Sequence, residues 1–435
     1  MAGLTRRGLL RVAAGGAGAT LAGVLGAGLA GCGLVTPARG GRGGTQLILL
    51  ADLAFVSAAQ ALAAAFAASA STAPQVIVQV ALPSLSVQVE AMLGGDLAVQ
   101  PDLFFTTPSV RDTLQADTLM LNLGPALNQT GLASTLYPMC LEYGLAGARQ
   151  LVLPVFRDPL VVFYNSDAFA RAGVDPPGAD WDLDRFNALC GQLQDQAHGL
   201  TAPLANATRI FDLELFCAFV LGYGGEMLKV SQTGYAPLFA SGEAAAGCGA
   251  LASLRQFEPA GLPAGKVPRD LFAGGQAALY FGHHSDVAPL AAQISDLFAW
   301  DVAPLPAFPL RRAQPLVADG VSAVTVAPER RSQAIALALF ACTTPAQLAM
   351  AGSGAGVPAL QALATSPAWQ ASGPSLDNSV FVSHTDADFV VQAPLYVIAP
   401  ALQAALQDTV SGYAAYDALV DAATYSAYQL ANWQD

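Results

Sequence analysis

The chain has 435 residues, enough for two or three domains with sizeable interiors. Charged residues make up 12% and apolar ones 54%, which excludes an intrinsically disordered chain. Acids outnumber bases 32 to 19 and the formal charge is -13, so there is no basic footprint of the kind nucleic acid requires.

The first residues, Thr5-Arg6-Arg7-Gly8-Leu9-Leu10-Arg11, lead into a weakly apolar run from Val12 to Ala30 and then Leu29-Ala30-Gly31-Cys32. Six glycines and five large apolar side chains among the 19 residues of that run make a poor membrane span. The pattern reads as a twin-arginine export signal joined to a lipobox, covering 1–31. A permanent N-terminal anchor helix is the alternative, and either address puts the body outside the cytoplasm. Cleavage before Cys32 frees a new N-terminus whose thiol can be acylated, followed by a Gly-rich flexible tether over 32–45. The other five cysteines, Cys140, Cys190, Cys217, Cys248 and Cys342, have no Cys-x-x-Cys spacing and are expected to be mostly buried thiols.

Runs of strand length follow at Leu47–Leu50, Val76–Val80, Leu103–Phe105, Leu151–Val155, Leu160–Tyr164, Ala277–Phe281 and Val321–Val326. Helical patterns separate them. Ser57 is placed to cap a helix over Ala58–Ser69, Asp182–Gln196 follows a Pro-Pro-Gly loop, and Pro328 falls in the first turn of Glu329–Ala341. From about Pro400 the pattern is helical only. Strands alternating with helices predict α/β domains built on parallel sheets.

Signatures of catalysis are scarce. There is no Gly-x-Ser-x-Gly elbow, His-Glu-x-x-His or Walker loop, and Lys229 and Lys266 are the chain's two lysines. Gly26-Ala27-Gly28-Leu29-Ala30-Gly31 satisfies a dinucleotide-binding pattern but lies inside the export signal. Gly352-Ser353-Gly354-Ala355-Gly356 lacks a strand-turn-helix context and reads as a loop. His283-His284 is the one suggestive imidazole pair, yet adjacent residues of a strand point to opposite faces, so no metal site is assigned. Asp212 and Glu214 have the composition of a glycosidase acid-base pair, but their separation is not readable from sequence.

The segment Leu151-Val152-Leu153-Pro154-Val155-Phe156-Arg157-Asp158-Pro159-Leu160-Val161-Val162-Phe163-Tyr164-Asn165, continued by Phe169, Ala172-Gly173, Pro176-Pro177 and Trp181, resembles the family 1 extracellular solute-binding proteins, the maltose-binding-protein-like receptors of ABC importers. Pro101-Asp102-Leu103-Phe104-Phe105, Tyr223-Gly224-Gly225, Phe272-Ala273-Gly274-Gly275-Gln276-Ala277-Ala278, Val302-Ala303-Pro304-Leu305-Pro306, Gly356-Val357-Pro358-Ala359 and the tail from Ser411-Gly412 agree with that family in order.

The resemblance implies a two-lobed periplasmic-binding-protein-like α/β fold with a hinge and a ligand cleft between the lobes. The first lobe would take 46–156 plus 304–355, and the second 157–303 plus 356–435. It implies ligand-binding positions at Asp52 and Phe55, Thr106 and Thr107, Arg157 and Asp158, Phe211, Asp212 and Glu214, His283 and His284, and Asp319. Carboxylates there can accept hydrogen bonds from sugar hydroxyls, Arg157 can donate or pair an anion, and rings can stack on a sugar face. His283-His284 stands where sugar binders of the family often carry a stacking aromatic ring. The implied function is that of a monomeric, non-enzymatic receptor without cofactor or metal. It would be lipid-anchored through Cys32, would bind a carbohydrate-like solute and would deliver it to permease subunits of an ABC importer. A sensor of the same fold and a secreted hydrolase are the alternatives.

Overall fold

The computed structural model describes residues 46–93, 100–106, 120–196, 199–231, 234–324, 330–370, 375–391 and 393–433. The elements used below begin with β1 (Gln46–Ala51), α1 (Val56–Ser69), β2 (Gln75–Val80), α2 (Leu85–Leu93), β3 (Leu103–Thr106), α3 (Pro138–Tyr143) and β4 (Leu153–Asn165). They continue with α4 (Leu183–Gln196), β5 (Ala202–Leu204), α5 (Leu213–Gly222), α6 (Gly242–Ser253), β6 (Ala277–His283), β7 (Trp300–Ala303) and β8 (Gln314–Ala323). Last come α7 (Arg331–Ala341), β9 (Val357–Pro358), β10 (Asp388–Val390), α8 (Ala393–Val410) and α9 (Ala415–Trp433).

Two compact units result. Within the described residues the first holds the chain up to Leu136, Gly144–Val155 and Asp319–Ser353, and the second holds Tyr137–Tyr143, Phe156–Ala318 and the chain from Gly354.

In the first unit β1 is the apolar run Leu47–Ala51, buried throughout, and it pairs in parallel with β2 and β3. β8 joins β3 antiparallel, with Gly320 opposite Thr106. The Asp102 carboxylate ties this sheet to its surroundings, accepting from the Ile48 amide at 2.8 Å and pairing with Arg330 at 2.9 Å. Leu50, Leu85, Val89, Phe104, Leu151 and Val324 fill the core beside it. Helix α1 buries Ala58, Ala59, Leu62 and Phe66, a stripe of helical spacing. Its start differs from the sequence reading: a short 3-10 turn, Leu53–Phe55, leads directly into it, and Phe55, not Ser57, takes the cap position without a side-chain hydrogen bond.

The two predicted runs on either side of Pro159 are one strand, β4, which belongs to the second unit from Phe156 on and is buried along almost its whole length. β6 and β7 pair with it antiparallel, β5 pairs with β6 in parallel, and β9 pairs with Phe156 and Arg157. The sheets are therefore mixed, where strand-helix alternation alone predicts parallel ones. Helices α5, α6, α8 and α9 form a layer of mutually packed helices. Helix α8 begins before Pro400 and carries that proline inside, at the cost of one ladder hydrogen bond to the Tyr396 carbonyl. Pro328 and Glu329 lie outside the described residues.

Residues 304–318 pack with the second unit, where the sequence reading put them with the first lobe. Several bonds explain why. The Trp181 indole donates to the Pro304 carbonyl at 2.9 Å, and the Ala307 amide donates to the Trp181 carbonyl at 2.9 Å. Phe308 sits edge-on to Phe219 at 4.9 Å, over Gly222, where a Cβ would stand 2.3 Å from the Phe308 ring. All five cysteines of the body are buried free thiols. Among the described residues no single helix is long and apolar enough to cross a membrane.

Candidate functional site

The polar residues singled out in the second unit meet at the end of β6. Antiparallel pairing sets His283 opposite Leu160, so the turn after β6 comes beside Asp158 of β4. Asp158 Oδ1 accepts from the Ser285 amide at 2.9 Å, and its backbone oxygen lies 3.0 Å from His283 Nδ1. Asp286 closes the turn, accepting from the Tyr280 hydroxyl at 3.0 Å and from Arg269 at 2.9 Å. Gly282 is required here, because a Cβ would lie 2.4 Å from the Tyr280 ring and 2.8 Å from Asp286.

The other half of the cluster comes from α5. Asp212 caps that helix, its Oδ1 accepting from the Leu215 amide at 2.9 Å. Glu214 lies two residues on, in the first turn of the same helix. Glu214 Oε1 in turn accepts from the Tyr396 hydroxyl of α8 at 2.6 Å.

Electrostatics bind these groups into one unit. Burial, and then the neighbouring Glu214 charge, push the Asp212 carboxyl up to about 6. Burial also raises Asp158, opposed by His283 and Ser285. For His283 burial works against the charged form, but Asp158, Asp212 and Glu214 together overcome it and raise the imidazole to about 9. At neutral pH an imidazolium thus stands among carboxylates, half-buried, beside half-buried Asp212 and Glu214. Such a set can accept from and donate to hydroxyl groups.

Two neighbours turn inward. Arg157 is fully buried, pairs with Asp388 at 2.6 Å and donates to the Phe381 carbonyl at 3.0 Å. Its guanidinium is used by the interior, where the resemblance places it at the ligand. His284 is buried against Phe381 and Trp369, with ring centres 4.7 and 5.8 Å away, and burial lowers it to about 4. The adjacent histidines occupy separate environments, His283 at the end of β6 and His284 at the start of the 3-10 turn His284–Asp286. Phe211 is half-buried and leans on Phe216 at 5.7 Å.

In the first unit Asp52 follows β1 and accepts from the Leu85 amide at 2.6 Å, and burial raises its carboxyl. Phe55 stacks on Phe105 at 5.5 Å and is 8% exposed, a core ring more than an open platform. The Thr106 hydroxyl is 2.7 Å from that of Ser322 and wholly buried. Asp319 is buried on β8. Thr107 and Cys32 lie outside the described residues. Tyr396, Ser285 and Asp388 were not singled out on sequence; each belongs to a segment without a motif and reaches its partners only through tertiary packing.

Comparison with known proteins bears on both units. A model of the bacterial extracellular solute-binding protein family matches residues 54–374. The chain belongs to that family. The address of this solute-binding protein is accordingly extracytoplasmic. Its fold is the two-lobed α/β fold of the maltose-binding-protein-like receptors. An ABC substrate-binding protein from Listeria monocytogenes, solved in complex with cycloalternan, is 18% identical with a TM-score of 0.72, over 88% of this chain and 97% of that one. The GacH receptor of Streptomyces glaucescens, solved unliganded and with acarbose, is 16% identical with a TM-score of 0.72, over 89% and 99%. The cyclic α-maltosyl-1,6-maltose binding protein of Arthrobacter globiformis gives the same four values. No curated protein sequence matches the chain.

Proposed function

We propose that this solute-binding protein is the lipid-anchored receptor of an ABC importer, holding a carbohydrate-like solute and handing it to membrane permeases. The observation that carries the reading is the family match over 54–374, joined to a cluster of buried Asp158 and half-buried Asp212, Glu214 and His283 that can bond hydroxyl groups. The carbohydrates bound by the structural relatives support the solute class. Asp52 and Asp319 of the first unit are further acceptors, and closure about the chain crossings brings both sets to the solute. Cys32 carries the lipid and Arg6-Arg7 directs export. The protein acts as a monomer, without cofactor, and returns its solute unchanged.

A thermal-shift screen of cyclic and linear glucans, disaccharides and polyols tests the solute class, because a solute at 100 times its Kd adds about 2.7 kcal/mol to the folded state. A raised midpoint with unaltered sugar recovered afterwards is the expected result. Turnover of the sugar, or no shift with any carbohydrate, refutes the reading.

A further inference from the structure

Arg157 is held by groups gathered near the places where the chain passes from one unit to the other, Tyr137 directly and β8 through Asp388, with the Phe381 carbonyl as a further partner. Those passages follow Leu136, Tyr143, Val155, Ala318 and Ser353. Arg157 comes just after the third. Its guanidinium carbon lies 4.6 Å from the centre of the Tyr137 ring, the first residue after Leu136. Its Nη2 pairs with Asp388 at 2.6 Å, and Asp388 stands opposite Gln314 where β10 pairs with β8, the strand that crosses after Ala318. Its backbone is in register with Val357 of β9, just after the crossing at Ser353. The Tyr137 amide completes the group by donating to the Ala359 carbonyl at 3.0 Å.

One guanidinium and the strand that bears it therefore engage the second-unit ends of four of the five crossings. The pair is withdrawn from water, with side-chain exposures of 0% and 2%. A buried fork of this kind fixes direction as well as distance, since an arginine bonds its partners in a planar geometry.

We infer that the Arg157–Asp388 pair is a clasp that sets the directions in which the crossing segments leave the second unit, making Arg157 a positioning residue for solute binding. It does so without touching the solute. The inference rests on the hinge reading above: closure is a population shift, and a clasp at the crossings biases that population through the hinge itself.

The test uses two variants of the full body, because removing one partner of a buried pair is far more damaging than replacing both by apolar groups. Arg157→Met with Asp388→Leu removes the pair while keeping volume; Asp388→Asn keeps an oxygen for the guanidinium and loses the charge. Hydrogen exchange is followed by mass spectrometry, and spin labels are placed at exposed Gln60→Cys and Glu243→Cys, away from the buried native thiols. In both variants exchange at 137–143, 156–159, 314–318 and 357–360 should quicken at least tenfold, with α4 and α5 unchanged and a broader distance distribution between the labels. Exchange that quickens only at 375–391, or uniformly, overturns the clasp, as does a distance distribution equal to that of the parent. A parent distance that is single and unmoved by the sugar found in the screen removes the hinge reading separately, and the exchange pattern still decides the clasp.

Discussion

At the scale of single residues, the two adjacent histidines give opposite pH signatures. His283 is raised from 6.5 to about 9 in the folded protein, so its contribution to stability is complete below about 6.5 and is lost as the pH rises through 9. His284 is lowered from 6.5 to about 4, so the folded state binds fewer protons than the unfolded one between those values, and stability falls as the pH drops through that window. Asp212 opposes it on the acid side. Its folded value of about 6 lies above the ordinary 3.8, so it favours the protonated fold and takes stability away as the pH rises. Single-residue difference curves are therefore needed. Thermal midpoints measured from pH 5 to 9.5 should decline less steeply above pH 6.5 in His283→Gln than in the parent, and His284→Phe should lose less stability below pH 6.5. The types of these residues were legible in the sequence. Their protonation was not, because it depends on Glu214 and Asp212, some 70 positions away, and on burial that only packing creates.

At the scale of elements, capping and binding can be separated at Asp212. Asp212→Asn keeps an acceptor for the Leu215 amide and should leave stability close to the parent, while Asp212→Ala should lose about 1 kcal/mol with the cap. Both variants remove the charge. Each should weaken binding of the sugar identified in the screen by roughly ten- to hundredfold, the worth of a charged acceptor of about 1.5 to 3 kcal/mol. Calorimetric titration that finds unaltered affinity in both would take Asp212 out of the site. The sheet of the first unit has an anchor of a different kind. Asp102→Ala strips a partner from the buried Ile48 amide and from Arg330 together, and urea denaturation should register a loss of about 2 to 3 kcal/mol. The apolar runs predicted β1, β2, β3 and β6 closely, since period and length suffice for strands such as β1, β3 and β6 that are buried along almost their whole length. Helix starts were less legible: the 3-10 turn before α1 follows Asp52, whose carboxylate accepts from the Leu85 amide, a contact across 33 positions.

At the scale of the whole molecule, two consequences of the proposed address and mechanism can be measured. Cys32→Ala should abolish incorporation of labelled palmitate and release the protein from the membrane fraction, and Lys at both Arg6 and Arg7 should hold precursor in the cytoplasm. Small-angle scattering should record a smaller radius of gyration when the sugar found in the screen is saturating, because contacts to both units exist only in the closed state. An unchanged radius would leave a rigid receptor.

Composition, an ordered set of weak motifs and strand-length apolar runs determined the class, the family and most of the strands from sequence alone. These are properties summed along the chain, and each survives errors at individual positions. Tertiary structure decided which polar residues act together. Arg157 and Asp158 are neighbours in sequence, yet one side chain enters the interior to meet Asp388 and Tyr137 while the other faces His283 and Ser285. Strand geometry says that two such neighbours point apart. Which of them meets the core depends on partners more than 100 residues away for both, Asp388 in one case and Ser285 in the other. The position of 304–318 was decided in the same manner, by the Trp181 indole and the hollow over Gly222 that receives Phe308. A residue's type fixes what chemistry it can offer, but only the fold fixes what it faces.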